Sequence, residues 1–170
     1  IRLSIRPSNV EHDIPPSLER GDRIAIVAPG NGPSKNDDGF GEVYRKGVQR
    51  LEDVFGLEAV EMGLTEKSMD YRTSHPEERA EELMEAFRRD DLKGALAVTG
   101  GSGEQVRILK HLDGEVLREN ATRFYSLSDN TSVLNFLWQE GVAGFYGPNL
   151  LNNLGDSPLS SYTEKYFRRA

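Results

Sequence analysis

Three short apolar runs, each closed by small turn-forming residues, constrain this chain more than any other feature. They are Ile24-Ala25-Ile26-Val27-Ala28 before Pro29-Gly30, Gly94-Ala95-Leu96-Ala97-Val98 before Thr99-Gly100-Gly101-Ser102-Gly103, and Phe124-Tyr125-Ser126-Leu127 before Ser128-Asp129-Asn130. A strand wetted on one face alternates apolar and polar residues; these do not, so they suit strands buried on both faces of a parallel sheet. Helical spacing fills the gaps between them. Phe40, Val43, Tyr44, Gly47, Val48, Leu51, Val54 and Phe55 recur on one helical stripe, and Gly56 follows where a terminating glycine would stand.

The remaining elements follow from the same signals. Residues 57–61 alternate as a short strand and residues 63–73 read as a loop. Ser74 with Glu77 three positions on, and Pro76 in the first turn, marks a helix start that runs to about Arg89. Val106, Leu109 and Leu112 suggest a helix after the glycine turn, residues 132–139 another, and residues 143–146 a last strand. Strands alternating with helices predict an α/β fold, a mostly parallel sheet with helices on both faces. This is a Rossmann-like or flavodoxin-like three-layer sandwich that binds ligands at the carboxyl ends of its strands. Residues 1–20, with prolines and charges, read as a lead-in arm, residues 21–149 as the domain, and residues 150–170 as a linker leading out. The helix that residues 162–169 could open has nothing to pack on in this reading.

Composition removes several function classes. With 170 residues the chain can bury a real core without staples, and with no cysteine it has neither disulfides nor thiolate chemistry. A net charge of -7 and no long apolar run argue against nucleic acid or a membrane as the main partner. No cofactor and no metal are expected. The first residue is Ile1, and nothing near it reads as a signal segment, so the start is read as processed or trimmed. The cytoplasm is the expected location, although the cysteine count alone leaves the compartment open.

The turn at Ser128 carries the chemistry of interest. A strand that turns sharply into a helix can hold a hydroxyl on an exposed elbow beside the free amides of the helix N-terminus, and small residues two before and two after, Ser126 and Asn130, relieve crowding there. On local pattern alone, a helix-capping serine is the commoner occupant of such a position. The loop Gly100-Gly101-Ser102-Gly103 could bind a carboxylate or a developing oxyanion through its amides, or could be a tight turn needing positive φ. It lacks the P-loop lysine and the dinucleotide fingerprint, which disfavours a nucleotide-binding Rossmann domain. If the strands at Ala95 and Phe124 are neighbours, this loop and Ser128 emerge on the same edge. His12, His75 and His111 are scattered and read as surface residues. Glu77, Glu78, Glu81 and Glu82 read as a solvated helix face, and Phe136 and Trp138 as core.

Several of these segments, in this order, resemble the L,D-carboxypeptidase family, whose members include muropeptide L,D-carboxypeptidases and microcin C self-immunity peptidases. Residues 21–29 look like the family's first strand, and residues 79–92 like the segment before its second core strand. Gly100-Gly101 with Arg107-Ile108-Leu109 and Leu112-Asp113 looks like its glycine turn. Residues 125–131 look like its elbow, and Phe145-Tyr146-Gly147-Pro148-Asn149 like the strand and turn after it. The Ser-Asp-Asn-Thr and Tyr-Gly-Pro-Asn wording is nearer the microcin-immunity branch.

The resemblance implies that Ser128 is a nucleophile forming an acyl-enzyme, with the amides of Gly101 and Asp129 as its oxyanion hole. Gly100, Ser102, Pro148 and Asn149 complete the candidate set as substrate-binding residues. In the family the histidine base and its glutamate come from a C-terminal domain, which this chain does not contain, so the isolated chain is expected to be inactive or nearly so. The family usually has glycine where Ser126 stands. The implied substrate is a small peptide amide, of muropeptide or peptidyl-nucleotide type. The alternative is a non-catalytic ligand-binding or pseudoenzyme module of the same fold. An exposed domain face would invite pairing of two copies.

Overall fold

The computed structural model describes residues 12–170. Five parallel strands, β1 (Arg23–Val27), β2 (Glu58–Glu61), β3 (Gly94–Ala97), β4 (Arg123–Ser126) and β5 (Phe145–Tyr146), lie in the order β2-β1-β3-β4-β5. That is the flavodoxin-like doubly wound order, whose ligand crevice opens where the winding reverses, between β1 and β3. The three apolar runs are its central strands, as their lack of alternation requires.

Successive side chains of each strand feed opposite layers. Ala25, Val27, Ala95, Ala97 and Phe124 pack under α3 (Pro76–Arg88), α4 (Gly114–Glu119) and α5 (Thr131–Gln139), meeting Leu83, Phe87, Leu117, Val133 and Leu137. Ile24, Ile26, Leu96, Val98 and Tyr125 face the other way, onto Tyr44 of α1 (Gly41–Arg50) and onto Leu51 and Phe55 of the π-helical turn that continues it. Gly56 ends that turn at φ 73°, in the left-handed region where it is the least strained residue.

Residues 150–170 do not hang free. Leu150, Leu151 and Leu154 of a second π-helical turn, and Phe167 of α6 (Ser161–Phe167), are buried in the α1 layer. A β carbon on Gly47 would touch Leu150, so α1 gives its glycine to let this segment seat. The helix foreseen at residues 162–169 therefore has a partner: the α1 face of the sheet, which one helix leaves half covered. Of the lead-in arm, residues 1–11 lie outside the described residues, while Asp13 bridges Val142 and Leu18 packs on the α1 layer.

Other local expectations change for identifiable reasons. Residues 63–73 contain a 3-10 turn (Gly63–Glu66) and α2 (Met69–Ser74), whose cap is Ser68, its hydroxyl accepting from Tyr71 N at 3.2 Å. Ser74 lies inside α2, and α3 starts from His75. After the glycine loop come two 3-10 turns, Glu104–Arg107 and Leu109–His111, in place of one helix. The spacing of three between Val106, Leu109 and Leu112 is the period of a 3-10 turn; Val106 is exposed, and Ile108 is the residue that enters the core. Trp138 is 56% exposed because the stripe of α5 runs through Val133, Leu134 and Leu137, one position away; its ring stacks on His12 while Phe136 packs half-buried. Among the described residues no helix is long and apolar enough to cross a membrane.

Candidate functional site

β3 and β4 are neighbours, with Ala95 opposite Phe124, so the turns that leave them rise side by side. β4 ends at Ser126, and the chain enters α5 through a 3-10 turn, Ser128–Asn130. At its head Ser128 sits at φ 61°, the one non-glycine residue with positive φ among those described. A left-handed L-residue costs about 1–2 kcal/mol, and such strain gathers at functional elbows. Its side chain is exposed, as an attacking hydroxyl must be.

The elbow is pinned from three sides. The Asn130 amide group, fully buried, donates to the Thr99 carbonyl at 2.9 Å. Asp129 turns its carboxylate back to accept the Gly103 amide at 2.7 Å. The Thr131 hydroxyl donates to the Ser128 carbonyl at 2.5 Å. Ser126, in the crowded position two before the nucleophile candidate, is fully buried with its hydroxyl unpartnered, so it occupies the elbow as a small side chain without anchoring it.

The glycines of the facing loop have two different reasons. Gly103 takes φ 82°, the tight-turn reason. Gly100 and Gly101 are glycines because the backbone is approached closely. A β carbon on Gly100 would stand 3.0 Å from Ser128 Cβ and 3.1 Å from its Oγ, and one on Gly101 would strike Asn31 Oδ1 and Gln105 Nε2. The loop after β1 closes the other side: Gly32 N donates to the Gly100 carbonyl at 3.3 Å, and a β carbon on Gly30 would meet that same oxygen. Asn31, 4% exposed, accepts the Ser102 amide at 3.0 Å and donates to the Thr73 hydroxyl at 3.0 Å.

Beneath the β1 loop lies a buried charged set that the sequence pattern did not reveal. Glu82 is buried, contrary to the solvated face expected for it, because its carboxylate accepts two amides that no strand satisfies, Ala28 N at 2.8 Å and Leu64 N at 2.7 Å. Burial pushes its carboxyl up to about 7, against the opposing pull of those two amides and of Arg72. Arg72, with no exposed surface, donates to the Gly30 and Gly32 carbonyls, and Arg79 to the Pro29 carbonyl at 3.1 Å. Desolvation holds both guanidinium groups below their ordinary value. Burial of a charge costs several kcal/mol unless it is bonded, so these three side chains mark a loop whose shape is held at an energetic cost. Their signal in the sequence was faint: Glu82 sits on the inner face of α3, one residue before Leu83.

Beside the elbow, a groove of about 560 Å³ runs along the β5 edge, lined among others by Leu127, Tyr146, Pro148, Asn153, Tyr162 and Tyr166. Pro148 lines this groove. Asn149 is 1% exposed, and its Oδ1 accepts from Asn152 N at 2.8 Å, capping the turn Leu150–Leu154. The histidines stand apart from the elbow. His75 Nδ1 is 2.7 Å from the Tyr71 carbonyl, His12 Nε2 is 3.0 Å from the Trp138 carbonyl, and His111 is half-buried with its Nε2 enclosed, less exposed than its sequence position suggested.

A parallel α/β domain with a left-handed serine at the carboxyl edge of its sheet, faced by a glycine loop, belongs to the structural class from which many serine hydrolases are built. The chain belongs to the LD-carboxypeptidase N-terminal domain family, Peptidase_S66, a family of serine peptidases whose pattern matches residues 24–147. It is 30% identical over 145 residues to the microcin C7 self-immunity protein MccF of Escherichia coli, covering 83% of this chain and 40% of that protein. A Bacillus subtilis protein named "probable murein peptide carboxypeptidase" is 27% identical over 159 residues, 91% of this chain and 46% of its own. The crystal structure of an MccF-like protein from Streptococcus pneumoniae in complex with AMP superposes with a TM-score of 0.79 at 28% identity, over 88% of this chain and 44% of that one. The chain spans less than half the length of each of these relatives.

Proposed function

We propose that this chain is the nucleophile-bearing half of a serine L,D-carboxypeptidase-type hydrolase that cleaves an amide bond in a small peptide. The observation that carries the reading is the left-handed, exposed Ser128 packed against Gly100. Its hydroxyl oxygen gives up its proton and attacks the substrate carbonyl, the carbonyl oxygen becomes an oxyanion, and as the tetrahedral centre collapses to an acyl-enzyme the C–N bond breaks and the amine leaves carrying that proton. The amides of Gly101 and Asp129 face the developing charge, each worth about 3–4 kcal/mol by the measure of other hydrolases. Gly100, Ser102 and Pro148 shape the walls around it, and Asn149 holds the wall that Pro148 begins.

The proton has to go to a base, and among the described residues no histidine is hydrogen-bonded to Ser128. In this reading the histidine and its glutamate come from a second domain reached through residues 150–170, so the chain alone turns over slowly or not at all. The substrate is of muropeptide or peptidyl-nucleotide type; the second is favoured by the relatedness to an MccF-like protein crystallised with AMP.

A fluorophosphonate probe applied to the protein carrying its downstream segment tests the assignment. Mass spectrometry should place the adduct on Ser128, and Ser128→Ala should abolish it. A folded protein left unlabelled at Ser128 would make the chain a non-catalytic binding module. Equally fast peptide cleavage by the 170-residue chain alone would remove the second domain from the mechanism.

A further inference from the structure

Thr99, the residue just before the glycine loop, is held by three parts of the molecule at once. Its carbonyl accepts the Asn130 side chain from the elbow at 2.9 Å. Its hydroxyl donates to Asn152 Oδ1, in the segment after β5, at 2.9 Å. Its methyl group fills the space that a side chain on Gly32 would need. The same segment bonds the preceding residue too, Leu151 N to the Val98 carbonyl at 3.0 Å, continuing β3 by one rung beyond its paired length.

The segment is itself built to hold that grip. Asn149 Oδ1 accepts Asn152 N at 2.8 Å, and Asn153 Oδ1 accepts Asn149 N at 3.0 Å, so three asparagines lock one turn. Leu150, Leu151 and Leu154 anchor the turn in the α1 layer. Thr99 is buried at the root of the loop that touches Ser128, and its hydroxyl is spent on Asn152.

We infer that Asn152 is a positioning residue: through the Thr99 hydroxyl, residues 149–154 set the glycine loop against the elbow. The segment that leads away from the sheet is therefore mechanically part of the site. Any pull on it is delivered to Thr99, one peptide from Gly100. As a statement about catalysis this rests on Ser128 being the nucleophile; as a statement about the loop it does not.

The test separates the two. Amide exchange of Ser102 and Gly103, the loop amides held by Asn31 and Asp129, is measured by NMR in the 170-residue chain for Asn152→Ala, Asn152→Asp, Thr99→Val and the parent. Asn152→Ala and Thr99→Val should each speed exchange at these two amides by about threefold to tenfold, the scale of one lost hydrogen bond. Exchange in α3 and α5 should be unchanged, and Asn152→Asp, which keeps the acceptor, should restore the parent rate. Unchanged loop exchange in the near-isosteric Thr99→Val, or an equal rise across α3 and α5, overturns the proposal. Fluorophosphonate labelling of Ser128 in the same variants of the protein with its downstream segment should slow in parallel. A parent protein that is never labelled would sink the nucleophile assignment and leave the exchange result standing.

Discussion

Ser128 and Gly100 are in contact across two adjacent strand ends, close enough that a β carbon on Gly100 would stand 3.0 Å from Ser128 Cβ. Such a distance forces a shift of a few tenths of an ångström, and the side that must give is the serine. Gly100→Ala should therefore slow fluorophosphonate labelling of Ser128 by about tenfold or more, since misplacement on that scale degrades attack geometry. Labelling kinetics beside a thermal melt would show it, and parent-like labelling would mean that the contact does not set the geometry.

Backbone strain at Ser128 gives a second expectation. Ser128→Gly relieves the left-handed conformation and Ser128→Ala does not, while both remove the hydroxyl. The glycine variant should be the more stable of the two by about 1 kcal/mol, the steric cost less the extra chain entropy that glycine brings. For a chain this long, that is a difference of roughly 2–4 °C in Tm.

Glu82 predicts a pH dependence of unusual sign. Its carboxyl is raised to about 7 in the folded protein from an ordinary 4.5. Between those values the folded state holds a proton that the unfolded chain has released, so stability falls as pH rises through the window and levels off outside it. The contribution is on the order of 3 kcal/mol across the window. Glu82→Gln, which like the protonated carboxyl keeps one carbonyl acceptor for the amides of Ala28 and Leu64 and does not titrate, should flatten this slope. Urea denaturation at pH 4.5, 6 and 7.5, values that bracket this window, distinguishes the two profiles; parallel curves would count against a titrating Glu82.

Leu150 is fully buried against α1. Leu150→Ala should destabilise the chain by about 2–5 kcal/mol, the range for deleting a packed leucine. A loss below 0.5 kcal/mol, as on a free linker, would show in the same urea titrations and would mean that this segment is dispensable to the fold.

How much of this was legible depended on whether a signal was local. The apolar runs at Ile24, Gly94 and Phe124 identified the central strands because burial on both faces is written in each run by itself. The juxtaposition of Ser128 with the glycine loop followed once β3 and β4 were neighbours, a pairing that the alternation of elements made natural. Glu82, Arg72 and Arg79 were illegible because their partners are main-chain groups 18 to 54 residues away, and no side-chain pattern records an amide that needs an acceptor. Trp138 misled because size suggests core, whereas position on the stripe of α5 decides it. Asn152 and Asn153 lie in the segment read as a linker and Asn149 among the candidate substrate-binding residues, yet Asn149 and Asn153 lock one turn while Asn152 holds Thr99, and turns and linkers draw on the same residue types.

The four glycines where the β1 and β3 loops meet bear on how the site tolerates change. At Gly30, Gly32 and Gly100 main chain lies against main chain or against the root of a single side chain, and at Gly101 against the buried ends of Asn31 and Gln105. There are few rotamers to reorder there and little conformational entropy to lose when a ligand arrives. Accuracy at the serine is inherited from the register of β1 on β3, so sequence drift in the surrounding helices can be absorbed as long as Ile26 stays opposite Leu96. The alignment of two strands acts here as the instrument that aims one hydroxyl.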